Sequence, residues 1–144
     1  MQISKHPERI FVTKRIRDFI NELDQSEYFG FKDISRTDLF LFAMALGVET
    51  NVRTSLENTD GLVRDSSLDY RIKALMDALF ISNLKSDELL NTVIDKENVY
   101  ELAQEYAHTG FQIIEDYFRN KKDSDLIWSM FRELDDQYKE LFES

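Results

Sequence analysis

Between Leu39 and Leu46 the chain sets eight apolar residues in a row, Leu-Phe-Leu-Phe-Ala-Met-Ala-Leu. A helix built from such a run has no face to offer water, so other elements must enclose it. A strand is the rival conformation for a short apolar run, but Ala43, Met44, Ala45 and Leu46 are helix formers. Ser35 supplies an N-cap whose hydroxyl can accept from the amide of Asp38, and Asp38 places negative charge at the positive helix end. Gly47 stands where a left-handed residue closes a helix. The expectation is a buried helix over residues 35–47, with the rest of the chain arranged around it.

The remaining pattern supports an all-α fold. Glycine (4) and proline (1) are too scarce for the many tight turns of an all-β protein. A chain of 144 residues suits one domain, 1–144. Eleven phenylalanines provide large apolar rings for its core. The expected architecture is a single helical bundle of five or six helices. Residues 1–12 form an extended or partly ordered arm, in which Ile10-Phe11-Val12 is β-prone. Residues 50–65 form a short hairpin or an irregular loop around the turn signal Asn58-Thr59-Asp60-Gly61.

Along the chain, Thr13 caps a helix over 14–24 whose Ile16, Phe19, Ile20 and Leu23 make one core-facing stripe. Tyr28, Phe29 and Phe31 then plug the core edge. Ser66 or Ser67 caps a helix over 68–82, and Ser86 a short one over 87–93. Asp95 opens the longest helix, 96–119, roughly 35 Å long. Its Val99, Ala103, Tyr106, Gly110, Ile113 and Tyr117 follow the spacing of closely paired helices. Gly110 costs about 1 kcal/mol inside a helix, and close approach of another backbone is the compensation expected. A last helix, 124–142, pairs antiparallel with the long one. The stripe suits a homodimer through the long helices as well as it suits that last helix.

Chemistry is sparse. Cysteine is absent, so disulfides, thiolate metal sites and a cysteine nucleophile are excluded. His6 and His108 are the two histidines. Glu105 and His108 have the Glu-x-x-His spacing of di-iron bundles, but no second motif completes such a site, and His108 reads as a surface residue on a helix flank. Glu115 and Asp116, like Asp135 and Asp136, diverge by about 100° on a helix and read as solvated faces. No nucleophile elbow or phosphate loop occurs. The expectation is a protein that is not an enzyme and takes no cofactor or metal.

A net charge of −10 opposes broad affinity for nucleic acid. The basic exception is the first 17 residues, where Lys14, Arg15 and Arg17 are the candidates for a local DNA contact. The apolar helix is followed by about twenty irregular residues, too many for a helix-turn-helix. With no apolar secretory segment and no run of roughly 20 apolar residues, the expected compartment is the cytoplasm and the expected partner another protein.

Three segments together resemble a known family. They are Phe31-Lys32-Asp33-Ile34 running through Asp38 into the apolar helix that ends Ala45-Leu46-Gly47, then Arg53 with its leucine-containing loop, then Glu105-Tyr106-Ala107-His108-Thr109-Gly110. The last is similar to a Glu-Glu-Tyr-Ala-Asn-x-Gly signature, with Gln104 in place of the first glutamate. The resemblance, over residues 30–118, is to the fourth of the small accessory protein families associated with DNA phosphorothioation (dnd) systems. It implies an accessory role beside DNA-sulfur modification, restriction and phage defence, and no catalytic residue.

Overall fold

The computed structural model describes residues 9–25, 34–84 and 95–120, together with Arg132 and Asp136. In chain order these form strand β1 (Arg9–Thr13), helix α1 (Lys14–Gln25), helix α2 (Arg36–Thr50) and strand β2 (Thr59–Arg64). A single 3-10 turn (Asp65–Ser67), helix α3 (Tyr70–Ser82) and helix α4 (Lys96–Asn120) follow. The expected helices over 87–93 and 124–142, and the plug of Tyr28, Phe29 and Phe31, lie outside the described residues. Only Arg132 and Asp136 of that last segment are seen, both helical and exposed.

The apolar run is α2. Ser35 Oγ accepts from the Asp38 amide at 3.1 Å, and Leu39, Phe40, Phe42, Ala43, Met44 and Leu46 are all buried. Its far end differs from expectation. The helix continues through Gly47 to Thr50, and Asn51 takes the left-handed conformation at φ 57°, its amide reaching the Gly47 and Val48 carbonyls. Gly47 is needed for packing instead. A Cβ there would lie 1.9 Å from the carbonyl oxygen of Tyr106, and one on Gly110 would lie 1.7 Å from that of Ala43. Residue 43 faces 110 while 47 faces 106, so α2 and α4 cross antiparallel, backbone on backbone. The stripe of α4 from Tyr106 to Gly110 therefore meets α2 of the same chain, a partner that sequence spacing did not single out.

The expected all-α bundle of five or six helices is incorrect. Among the described residues there are four helices and an antiparallel two-stranded sheet. β2 pairs with β1, with Ile10 opposite Val63, Phe11 opposite Gly61 and Thr13 opposite Thr59, and Leu62 is the extra residue at an irregularity between them. Ile10, Val12 and Val63 are buried, which is what β-branched side chains gain on a half-buried sheet. The β-prone run Ile10–Val12 lies in β1, but its pairing was not legible, because each strand supplies the other's backbone partners from some fifty residues away. Asn58, at φ 52°, is the turn residue that the sequence marked, but it leads into a long-range pairing rather than a local hairpin. Its carbonyl accepts from the Lys14 amide at 2.7 Å.

α1 follows expectation: Thr13 Oγ1 accepts from the Ile16 amide, and Ile16, Phe19, Ile20 and Leu23 are buried. α3 starts two residues later than the spacing suggested. Ser66 and Ser67 lie in the 3-10 turn, and Asp69 is the cap, its carboxylate accepting from the Ile72 amide at 3.0 Å. Among the described residues no helix is long and apolar enough to cross a membrane.

Candidate functional site

Residues 104–110 of α4 meet several other elements of the fold. Gln104 Oε1 accepts from the Phe11 amide at 2.7 Å, tying α4 to β1. Glu105 Oε1 receives Arg53 through Nε at 2.9 Å and Nη2 at 2.6 Å. The Glu105 carbonyl accepts from the Thr54 amide. Tyr106 packs under Gly47, and its hydroxyl donates to Asn83 at the end of α3, 3.1 Å away. Ala107 is buried in the core. Thr109 Oγ1 lies 2.9 Å from the Val52 carbonyl and 2.7 Å from Thr54 Oγ1. Gly110 admits Ala43.

His108 is the exception. It is 9% exposed, so the expectation of a surface histidine is incorrect. Its Nδ1 is buried without a hydrogen-bond partner. Burial holds its pKa below the ordinary histidine value, leaving the ring neutral. The reason for burial is tertiary: the loop after α2 is hydrogen-bonded along α4 through Arg53 and Thr54, and it covers this face of the helix.

The histidine lines a cavity of about 620 Å3. The walls come from three places: Thr13, Arg15 and Ile16 at the start of α1, Thr54, Ser55, Glu57 and Asn58 before β2, and the C-terminal half of α4. From α4 come Gln112, Glu115, Asp116, Arg119 and Asn120. Glu115 is only 6% exposed, which corrects its reading as a solvated face. It accepts from Arg119 Nε at 3.1 Å, and Arg15 Nη2 lies 3.5 Å from its other oxygen. Arg119 also donates to both oxygens of Glu22 on α1, at 3.0 and 3.2 Å. These carboxylates hold the Arg119 pKa above its usual value. Asp116 accepts from the neutral amide of Asn120 at 3.0 Å.

The residues singled out from the sequence are thereby dispersed. Glu105 and His108 share α4, but Glu105 is committed to Arg53 while His108 faces the cavity. Among the described residues no three histidine, aspartate or glutamate side chains gather as a metal site. Lys14 is exposed, Arg15 reaches Glu115, and Arg17 is half-buried with Nη1 withdrawn from solvent and unpaired. The cavity residues Thr54, Glu57, Glu115 and Arg119 were not anticipated, although Glu115 and Arg119 stand at the i, i+4 spacing of a helical ion pair.

A family model described as DNA sulphur modification system-associated protein 4 matches residues 9–142. No curated protein and no solved structure matches the chain.

Proposed function

The chain belongs to the family of DNA sulphur modification system-associated protein 4, and from that premise we propose that it is a non-catalytic accessory subunit, acting in the cytoplasm by contacting other proteins of such a system. The observation that carries the reading is how the family-like segments are used. Arg53 meets Glu105, Thr54 meets Thr109, Gly47 meets Tyr106 and Ala43 meets Gly110. These residues hold a helix crossing and its strap together, which is the work of a scaffold. The acidic balance of −10 favours protein partners over phosphate backbones. The same association supports a role in modification-linked restriction and phage defence. A homodimer, suggested by the stripe along the long helix, must use a surface other than the Tyr106–Gly110 part of α4, which packs on α2.

The competing reading, a DNA-binding regulator acting through Lys14, Arg15 and Arg17, is weakened by the Arg15–Glu115 contact and by the inward setting of Arg17. Recovery of tagged protein from its host at physiological salt, after nuclease treatment, separates the two. Sulphur-modification or restriction subunits are the expected companions. Recovery without protein companions, with submicromolar DNA binding lost on replacing Lys14, Arg15 and Arg17, would overturn the accessory reading.

A further inference from the structure

We propose that the cavity beside His108 receives a cationic side chain, lysine or arginine, from a partner protein; the proposal rests on the accessory reading above. The charge around the cavity is the first argument. Arg15 and Arg119 are matched by Glu115 and Glu22, at 3.0–3.5 Å. Two carboxylates at the cavity then remain uncompensated. Glu57 is exposed and has no hydrogen-bond or ionic partner among the described residues, and Asp116 has only a neutral amide. A cationic occupant adds the positive charge that these two carboxylates lack, whereas an anionic one would enter beside Glu57, Glu115 and Asp116.

Residues 104–107, 109 and 110 are committed to neighbours, while His108, nine-tenths buried, has its Nδ1 without a hydrogen-bond partner. Buried polar groups are ordinarily satisfied. The ring lines the cavity, so an occupant of the cavity lies against the imidazole. A neutral imidazole can accept from an ammonium or guanidinium N–H and does not repel it. Ser55 and Gln112 stand on the same walls to bond the peptide that carries the cation.

The test titrates the full chain with the capped peptide Gly-Arg-Gly, following the His108 ring and the Gln112 side-chain amide by NMR. Capped Gly-Glu-Gly and a short DNA duplex are titrated in parallel. Saturable shifts with the arginine peptide alone are expected, weakened about tenfold in Glu57→Gln/Asp116→Asn. Both substitutions are on exposed residues, and an unchanged melting curve shows that the variant is folded. Preference for the glutamate peptide or the duplex, or no saturable shift at His108, overturns the proposal. So does recovery of the same modification-system subunits by wild type and double variant, which leaves the accessory reading standing. Arginine-peptide binding without recovered subunits supports the site and defeats the accessory reading instead.

Discussion

Gly110 of α4 lies directly under the carbonyl of Ala43 in α2, so closely that a Cβ would sit 1.7 Å from the oxygen. One turn away along each helix, Gly47 stands in the same relation to Tyr106. The two glycines set the distance between the principal helices, and backbone cannot yield as a flexible side chain can. Gly110→Ala and Gly47→Ala should each lower unfolding free energy by about 1–3 kcal/mol, even after the gain of up to about 1 kcal/mol in helix propensity. Gly61→Ala is the comparison, since its Cβ would meet only the Arg9 side chain, at 3.0 Å. Urea unfolding of the three variants checks the order.

Within the apolar run, position matters more than composition. Phe42 is 4% exposed, whereas its neighbour Leu41 is only partly buried. Phe42→Asp should abolish folding, because it places an unpaired carboxylate in the core. Leu41→Asp should leave a weakened but cooperatively melting protein. Circular dichroism melts of the two variants decide this. A folded Phe42→Asp variant would mean that α2 is not central.

The hydroxyl of Tyr100 on α4 donates to Asp65 in the 3-10 turn, where Lys96 Nζ lies 3.0 Å and Lys73 Nζ 3.6 Å from the same carboxylate. Burial, and then Asp65, push the Tyr100 pKa well above its ordinary range. The hydroxyl, with help from Lys96, lowers that of Asp65. Tyr100→Phe should cost about 1–2 kcal/mol by leaving the carboxylate under-satisfied. It should also bring the Asp65 pKa back toward 3.8, a change that NMR titration reads directly.

His108 makes stability depend on pH near neutrality. Burial places its folded-state pKa below the ordinary 6.5. Below that value the unfolded chain therefore binds a proton that the native chain refuses. Its contribution is complete above the unfolded pKa and is lost as pH falls toward the folded one. Asp24, lowered chiefly by its Arg36 hydrogen bond, and Asp65 act in a separate, more acidic window that starts from 3.8 downward. Unfolding free energies from pH 8 to 5 should converge for wild type and His108→Gln on acidification. Parallel curves would assign the slope to other groups.

Sequence alone determined what depends on neighbours three or four residues apart. The cap at Ser35, the cap at Thr13, the inward stripe of α1 and the need to enclose residues 39–46 follow from helical periodicity and local hydrogen bonding, and the structure has them. Close backbone approach at Gly110 was also legible, because a glycine on the apolar stripe of a long helix needs a compensating contact. The family-like segments were visible as strings, but not the reason for them, since Arg53 and Glu105 are 52 residues apart.

Tertiary structure decided everything that pairs distant residues. β1 read as a β-prone extended arm and the β2 region as a short hairpin or irregular loop, and neither reading showed that they pair, because a strand's hydrogen bonds belong to its partner. Gly47 was assigned to a helix end on local grounds, and only the approach of Tyr106 shows why it sits inside the helix. Glu115 and His108 occupy helix positions off the apolar stripe, which periodicity assigned to the surface. Arg15, arriving from α1, and the Thr54 strap, arriving from beyond α2, placed them on the buried side and enclosed the cavity between them.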